Sequence, residues 1–370
     1  MTVTVTRKVV ILGAGFVGKH VARALAQNPA NRIQLTSKNP KYIYESLVQE
    51  ASNDMNSALD PAHMLNPSGP HVPQVSPKAF IAPQVADVTD KDSLVAAFEG
   101  ASVIISLVGV LSGSTQQFED IQWKGVQNIV HAVKEVNLAA RNKKGEGSVK
   151  KIIHHSAIGA NSSSSLPYFR TKGLAEEVLF GAFGADGPSV TVIRPSLIFG
   201  EGDGFFKRFA TLAKYLPFLP VFGGGKSLFQ PVFVGDIANA IEILSRIDDG
   251  NIMKASTKCL LQAGGTDVFT YRQMMELVLR YSHRTRPIIS LPFLVGTMQG
   301  MVLERLPESI FTVTQNQVEQ LKLDNIVTDT DKMPSLYGEK HMTLEEFMAR
   351  FGQGNDKGLK KIDDILPTYL

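Results

Sequence analysis

Cysteine is nearly absent: Cys259 stands alone in 370 residues. An internal disulfide is excluded, and the chain suits a reducing compartment. Cys259 lies in an apolar run, where a small core residue is the expected role rather than a nucleophile. Charge of one sign is missing too, since 38 Lys and Arg face 35 Asp and Glu, a balance of +3. With no basic stripe carrying interleaved aromatics, that balance predicts no nucleic-acid partner. No apolar run reaches the length of a bilayer span. No secretory or transit segment is visible, because the first strand pattern begins within ten residues. That leaves open a chain that is untargeted, already processed or imported through an internal signal. No His, Cys and carboxylate cluster has metal-ligand spacing, so no metal is expected, and neither a Gly-x-Ser-x-Gly elbow nor a Walker loop occurs. His154 and His155 are neighbours in a strand pattern, so they point to opposite faces and do not share an ion.

What is present is an ordinary globular composition, 44% hydrophobic and 20% charged, in a chain long enough for one large α/β domain and a smaller appendage. Strand patterns at residues 9–12, 32–36, 80–86, 103–108, 151–155 and 190–195 alternate with helical spacing at 17–26, 90–98, 118–136 and 174–183. Repeated β-then-α order predicts an α/β fold, a Rossmann-type doubly wound parallel sheet. Residues 41–78 interrupt the rhythm with Asn, Pro, Ser and His and no apolar period, and read as a surface insertion. Residues 140–149 read as a second polar loop. The expected organisation is a dinucleotide-binding domain over 1–196, a smaller C-terminal α/β region of substrate-binding type over 197–313 interleaved with it, and a polar tail with local helices over 314–370. Residues 199–222 are rich in Phe, Leu, Pro and Gly; they either line an apolar pocket or form core beneath the smaller region. Helices are expected at 233–247 and 271–281, and a short strand at 288–291.

The first strand runs into Gly13-x-Gly15-x-x-Gly18 and then an apolar helical pattern. In a dinucleotide site one such glycine makes the tight turn, one admits the backbone to the pyrophosphate, and one lets the helix pack on the strand. The N–H groups at the start of that helix, at Phe16 and Val17, then face the phosphates. The second strand ends in Thr36-Ser37-Lys38, with no acid to bind a ribose 2′-hydroxyl. Ser37 and Lys38 suit a 2′-phosphate, so NADP(H) is favoured over NAD(H); the alternative is that Lys38 is a solvated loop lysine. Asp87 and Val88 follow the third strand where an adenine edge would be held. Val108 and Gly109 close the fourth, where the backbone can approach the cofactor.

The fifth strand leads to Ser156, and twelve residues later Tyr168-x-x-x-Lys172 begins. At i and i+4 on a helix the two side chains share a face. A nearby ammonium would favour the phenolate of Tyr168, which could exchange a proton with a substrate hydroxyl or carbonyl. Ser156 would orient the substrate oxygen, and Lys172 would also hold the nicotinamide ribose. Ser156, Tyr168 and Lys172 are the catalytic candidates. The alternative is a scaffold that keeps the nucleotide but no longer turns over.

Gly13–Gly18, Asp87-Val88, Ser156, Tyr168 with Lys172, and Arg194-Pro195-Ser196 together resemble the extended and atypical short-chain dehydrogenases/reductases. On that resemblance Pro195 joins the cofactor contacts. Downstream, the strings Val192–Gly200, Phe205–Ala210 and Phe229–Ala238, Thr314–Asn325 with Gln317, and the ending Ile365–Leu370 resemble the nucleotide-binding accessory subunits of respiratory complex I and their bacterial relatives. The resemblance implies a structural subunit holding NADP(H), with other complex I subunits and a membrane surface as partners, on the matrix side of the mitochondrial inner membrane. The alternatives are a freestanding NADP-dependent reductase or epimerase acting on a small or lipid-like substrate, and a protein associated with coenzyme Q biosynthesis. Within residues 292–308, Leu294, Met298, Met301, Val302 and Leu306 approximate one helical face. That segment is too short to span a bilayer and packs either on the protein's own core or against a membrane or partner.

Overall fold

The computed structural model describes residues 6–58, 76–142, 147–295, 315–335, 337–354 and 358–370. Its strands are β1 (Arg7–Leu12), β2 (Asn31–Ser37), β3 (Gln84–Val85), β4 (Ala101–Ser106), β5 (Lys151–His155), β6 (Ser189–Pro195), β7 (Ile198–Phe199), β8 (Leu219–Phe222), β9 (Leu228–Phe229), β10 (Val232–Phe233), β11 (Cys259–Ala263), β12 (Phe269–Thr270), β13 (Ile288–Leu291) and β14 (Lys340–Thr343). Eight of them form one parallel sheet in the order β14-β11-β6-β5-β4-β1-β2-β3. The run β3-β2-β1-β4-β5-β6 is the dinucleotide-fold order, and it reverses direction between β1 and β4.

Alternation along the strands explains why helices cover both faces. Val9, Ile11, Val103 and Ile105 point into one apolar layer, closed by helices Phe16–Ala26 and Val234–Leu244. Val10, Leu12, Ile104 and Ile152 point into the other, closed by helices Lys91–Phe98, Gly125–Asn142 and Pro167–Ala182. A third cluster joins Phe199, Phe206, Leu219, Val221 and Tyr271 around three two-stranded pairings, β7 with β10, β9 with β12 and β8 with β13.

Several elements differ from the sequence reading, among them the helix that carries Tyr168 and Lys172, which begins at Pro167 rather than at residue 174. Residues 41–58 are not a polar insertion but an 18-residue helix, Lys41–Ala58. Tyr44, Leu47, Val48 and Ala51 form a sparse i, i+3, i+4, i+7 stripe on the sheet, and Glu50 pairs with Lys19 at 2.6 Å and Arg23 at 2.7 Å; residues 59–75 lie outside the described residues. The third strand shrinks to Gln84–Val85, because Pro83 offers no N–H to a ladder and Phe80 keeps a single bridge to Ile33. The tail is more than local helices: β14 pairs with β11, and helix Leu344–Phe351 buries Leu344, Phe347 and Met348 on the sheet. β11 was itself read only as an apolar run; Cys259 is buried there as expected, its thiol pushed up to about 11 by burial. Most of the proposed amphipathic segment, from residue 296 to 308, lies outside the described residues. Among the described residues, no helix is long and apolar enough to cross a membrane.

Lys151 opens β5 at 0% exposure. Its ammonium donates to Ser189 Oγ at 3.0 Å, Ser256 O at 3.2 Å and Ser256 Oγ at 2.6 Å, all neutral acceptors. Burial drives its pKa down to about 7. The folded state therefore binds fewer protons than the unfolded chain between about pH 7 and 10.5, and stability gains with rising pH across that window. Lys151→Met should flatten the dependence by up to about 1.4 kcal/mol per pH unit. Urea unfolding of both proteins at several pH values between 7 and 10 would show parallel curves if Lys151 contributed nothing.

Candidate functional site

Outside the carboxyl ends of β1 and β4, where the strand order reverses, lies a cavity of about 1240 Å³. Every residue that the sequence assigns to the nucleotide or to catalysis lines it. Gly13, Gly15, Phe16, Val17 and Gly18 come from the turn after β1, Ser37 and Lys38 from the end of β2, and Asp87 and Val88 from behind β3. Val108 and Gly109 follow β4, Pro195 ends β6, and Ser156, Tyr168 and Lys172 face the same space.

The first turn shows what each glycine permits. Gly13 sits at φ +111°, and its N–H donates to the Thr36 carbonyl at 2.9 Å. A Cβ on Gly18 would collide with the Gly13 carbonyl oxygen, so this residue fixes how closely helix Phe16–Ala26 meets the sheet. Gly15 is different: its backbone is extended, and a Cβ there would meet no protein atom within 4 Å. The cradle that a Gly15 side chain would fill is a feature that fits a pyrophosphate. No side chain caps this helix, so its first-turn N–H groups are available to an anion.

At the end of β2 the polar groups divide. Thr36 is fully buried and donates to the Ile11 carbonyl at 2.9 Å, so it serves the sheet. Lys38 is 72% exposed and pairs with Asp87 at 3.0 Å. Burial opposes ionisation of Asp87, but the Thr89 N–H and the Lys38 ammonium hold its carboxyl below the usual range. Asn39, to which the sequence assigns no role, lines the cavity beside them.

Tyr168 and Lys172 occupy one face of helix Pro167–Ala182. Phe118 and Phe169 meet the Tyr168 ring edge to face, with centroids 6.0 and 5.3 Å away. Phe118 is set by a departure from the single helix expected over 118–136, a π-helical stretch, Glu119–Lys124, between two α-helical segments. Lys172 donates to the His155 carbonyl at 2.9 Å, and a Cβ on Gly109 would stand 3.2 Å from its ammonium. Burial dominates both groups. The Tyr168 phenol is pushed up to about 12, and the Lys172 ammonium down to about 8, so the expected pull of lysine toward phenolate does not prevail. Tyr168 is a protonated phenol at neutral pH, suited to donating from Oη.

One functional group was missed. Glu176, one helical turn beyond Lys172, is buried and accepts a short hydrogen bond from Ser156 Oγ. Arg194 on β6 grips the same carboxylate through Nε at 2.8 Å and through Nη2. Extending the i, i+4 series from 168 and 172 to 176 would have found it. The Ser156 proton is committed to Glu176, which leaves the hydroxyl oxygen as an acceptor. His154 is buried in β5 and His155 partly so, and burial, with Lys172 adding to it, lowers both pKa values. Among the described residues, no group of three His, Cys, Asp or Glu is placed to hold a metal ion.

The two glycines give a clean separation. Gly15→Val should abolish NADPH binding while costing the nucleotide-free fold no more than about 1 kcal/mol. Gly18→Val should destabilise the fold itself by about 1–3 kcal/mol, through backbone collision. Thermal unfolding with and without NADPH checks both; at a hundredfold excess over Kd the parent should gain about 2.7 kcal/mol from the ligand. Retained stabilisation by NADPH in Gly15→Val would place the nucleotide elsewhere.

Comparison with known proteins agrees with this architecture. Residues 9–249 match the 3-beta hydroxysteroid dehydrogenase/isomerase family. The chain is 26% identical over 339 residues to the mitochondrial NADH dehydrogenase [ubiquinone] 1 alpha subcomplex subunit 9 of Arabidopsis thaliana, covering 88% of this chain and 80% of the relative. The subunit of the same name from Mus musculus is 27% identical over 242 residues, covering 65% of this chain and 58% of the relative. Among solved structures, a dTDP-glucose 4,6-dehydratase from Streptomyces venezuelae, with NAD and TYD bound, superposes with a TM-score of 0.60 at 14% identity, covering 98% of this chain and 95% of that one. With its doubly wound sheet, its glycine turn and a family match through residues 9–249, this chain is an extended short-chain dehydrogenase/reductase and belongs to the 3-beta hydroxysteroid dehydrogenase/isomerase family.

Proposed function

We propose that the chain is an accessory subunit of mitochondrial respiratory complex I that holds NADP(H) in the cavity as a structural ligand. The observation that carries this reading is the alignment, through 88% of the chain, with a relative named as that subunit. Gly13, Gly15 and Gly18 hold the pyrophosphate against the helix N-terminus. Ser37 and Lys38 receive the 2′-phosphate, Asp87 and Val88 border the adenine, and Val108, Gly109 and Pro195 flank the nicotinamide end. When bound, the nicotinamide supplies hydride chemistry. Partners are other complex I subunits at the matrix face of the inner membrane. Native electrophoresis of a membrane extract tests this: the chain should migrate with a very large complex containing NADH dehydrogenase subunits, and migration alone would reject it.

A second reading, a freestanding NADP-dependent reductase or epimerase, is favoured by one observation. Ser156, Tyr168 and Lys172 meet in the same cavity, with Tyr168 protonated. In that reading Tyr168 Oη delivers a proton to a substrate oxygen. Association with coenzyme Q biosynthesis is a third reading, between these two.

Two variants follow. NADPH should bind more tightly than NADH, and Lys38→Ala should cut the preference by about tenfold, the worth of one charge-assisted hydrogen bond at an exposed site. Calorimetric titration of both nucleotides checks it, and equal affinities in the parent protein would refute the 2′-phosphate assignment. Tyr168→Phe should leave NADPH retention and complex assembly unchanged. Loss of a cellular function with assembly intact would select the enzyme reading.

A further inference from the structure

The cavity extends past the residues that a dinucleotide would need. Beyond Tyr168 it continues between helix Phe206–Tyr215 and β8. On the helix side, Phe205, Phe209, Leu212 and Leu216 face the space at i, i+4, i+7 and i+11, while Phe206 and Ala213 are buried in the core behind. On the strand side, Phe218, Pro220 and Phe222 face it, and the alternate residues Leu219 and Val221 are fully buried on the other face. A strand facing water on one side alternates apolar with polar. β8 is apolar on both sides, so its outer face is built for an apolar neighbour. Leu291, which pairs with Phe222, lines the cavity too, as do Phe229 and Tyr271, and Gln317 and Gln320 add polar groups to the wall. Arg208, on the helix face, interacts electrostatically with Tyr271. The rim beyond carries Asp324 and Asn325, which already accept from the Leu228 N–H at 2.9 Å and the Ser196 hydroxyl.

The trough runs from Phe205 to Leu216, about 16 Å along a helix at 1.5 Å per residue. Tyr168, a phenol protonated at neutral pH, lines the same cavity. We propose that this compartment binds a second ligand, an extended hydrocarbon chain bearing one oxygen-containing head, with the head at Tyr168 and the chain between helix Phe206–Tyr215 and β8. Tyr168 Oη donates to a head carbonyl, and the Ser156 oxygen, its own proton held by Glu176, accepts from a head hydroxyl. The chain is either straight, as in a fatty acyl group, or branched, as in a prenyl group; the shared chemistry is an oxygenated head on a flexible apolar tail. The proposal rests on the nucleotide occupying the other end of the cavity.

Isothermal titration of the NADP⁺-loaded protein with 2-hexanone, 2-octanone and 2-decanone tests it. Affinity should rise roughly fourfold per added methylene, the transfer increment for a buried CH₂. Binding should also carry a negative heat-capacity change. Geranylacetone against 2-undecanone separates the prenyl from the acyl source. Leu216→Ser and Phe218→Ser each alter a half-buried wall residue and should weaken 2-decanone about tenfold or more while leaving NADP⁺ affinity unchanged. No binding, binding independent of chain length, or chain-dependent binding indifferent to both substitutions would overturn the proposal. NADP⁺ titrated alone reports separately on the nucleotide reading. If NADP⁺ binds and the ketones do not, only the second ligand fails.

Discussion

The backbone of Gly18 lies against the carbonyl of Gly13, at a distance that excludes any side chain. Much of the site depends on that approach. It sets the first helix low on the sheet, so the helix N-terminus opens into the crevice rather than above it. It fixes the turn in which Gly15 leaves space. The opposite wall, Leu107 to Leu111, comes from the neighbouring strand β4, whose register with β1 aligns Leu12 with Ser106. A cavity at the reversal point of the sheet is thus a consequence of strand order and one steric contact, with chemistry added afterwards by residues from the strand ends and from helix Pro167–Ala182.

The electrostatics of that chemistry are governed by desolvation. Tyr168 and Lys172 are each moved toward the neutral form, because the surrounding apolar layer penalises charge on either. One charge pair is retained nearby, Glu176 with Arg194, and it is satisfied by three hydrogen bonds including that from Ser156. A buried pair of this kind contributes little net stability but costs heavily if one member is removed. Its visible effect is to fix the direction of the Ser156 hydroxyl. The site therefore combines a phenolic donor and a hydroxylic acceptor whose roles are set by their surroundings.

Much of this was legible in the sequence, for identifiable reasons. Val9 to Leu12 and the three glycines carry a signal in which each residue type answers a steric demand, and Lys151–His155 centres on the β-branched pair Ile152 and Ile153. Tyr168 and Lys172 followed from helical spacing. Glu176 was hidden because a buried carboxylate looks like any solvated helix acid until its partner on β6 is known. Helix Lys41–Ala58 was hidden because its apolar stripe is sparse, with Asn, Gln and Glu between. The π-helical turn leaves no mark in composition, since it inserts a residue into the hydrogen-bond ladder without changing residue type. β11 and β14 pair over a sequence distance of about eighty residues, and no local pattern announces such a partner.

That last pairing bears on how the chain is made. β14, about eighty residues further along the chain, covers the edge of β11. During synthesis the sheet from β3 to β11 emerges first, and β11 then presents an unpaired parallel edge until residues 340–343 leave the ribosome. Unpaired strand edges are templates for adventitious association. The tail thus supplies the last edge strand of the sheet, and a chain cut before residue 340 would leave the buried, apolar β11 as the edge in place of the more polar and exposed β14.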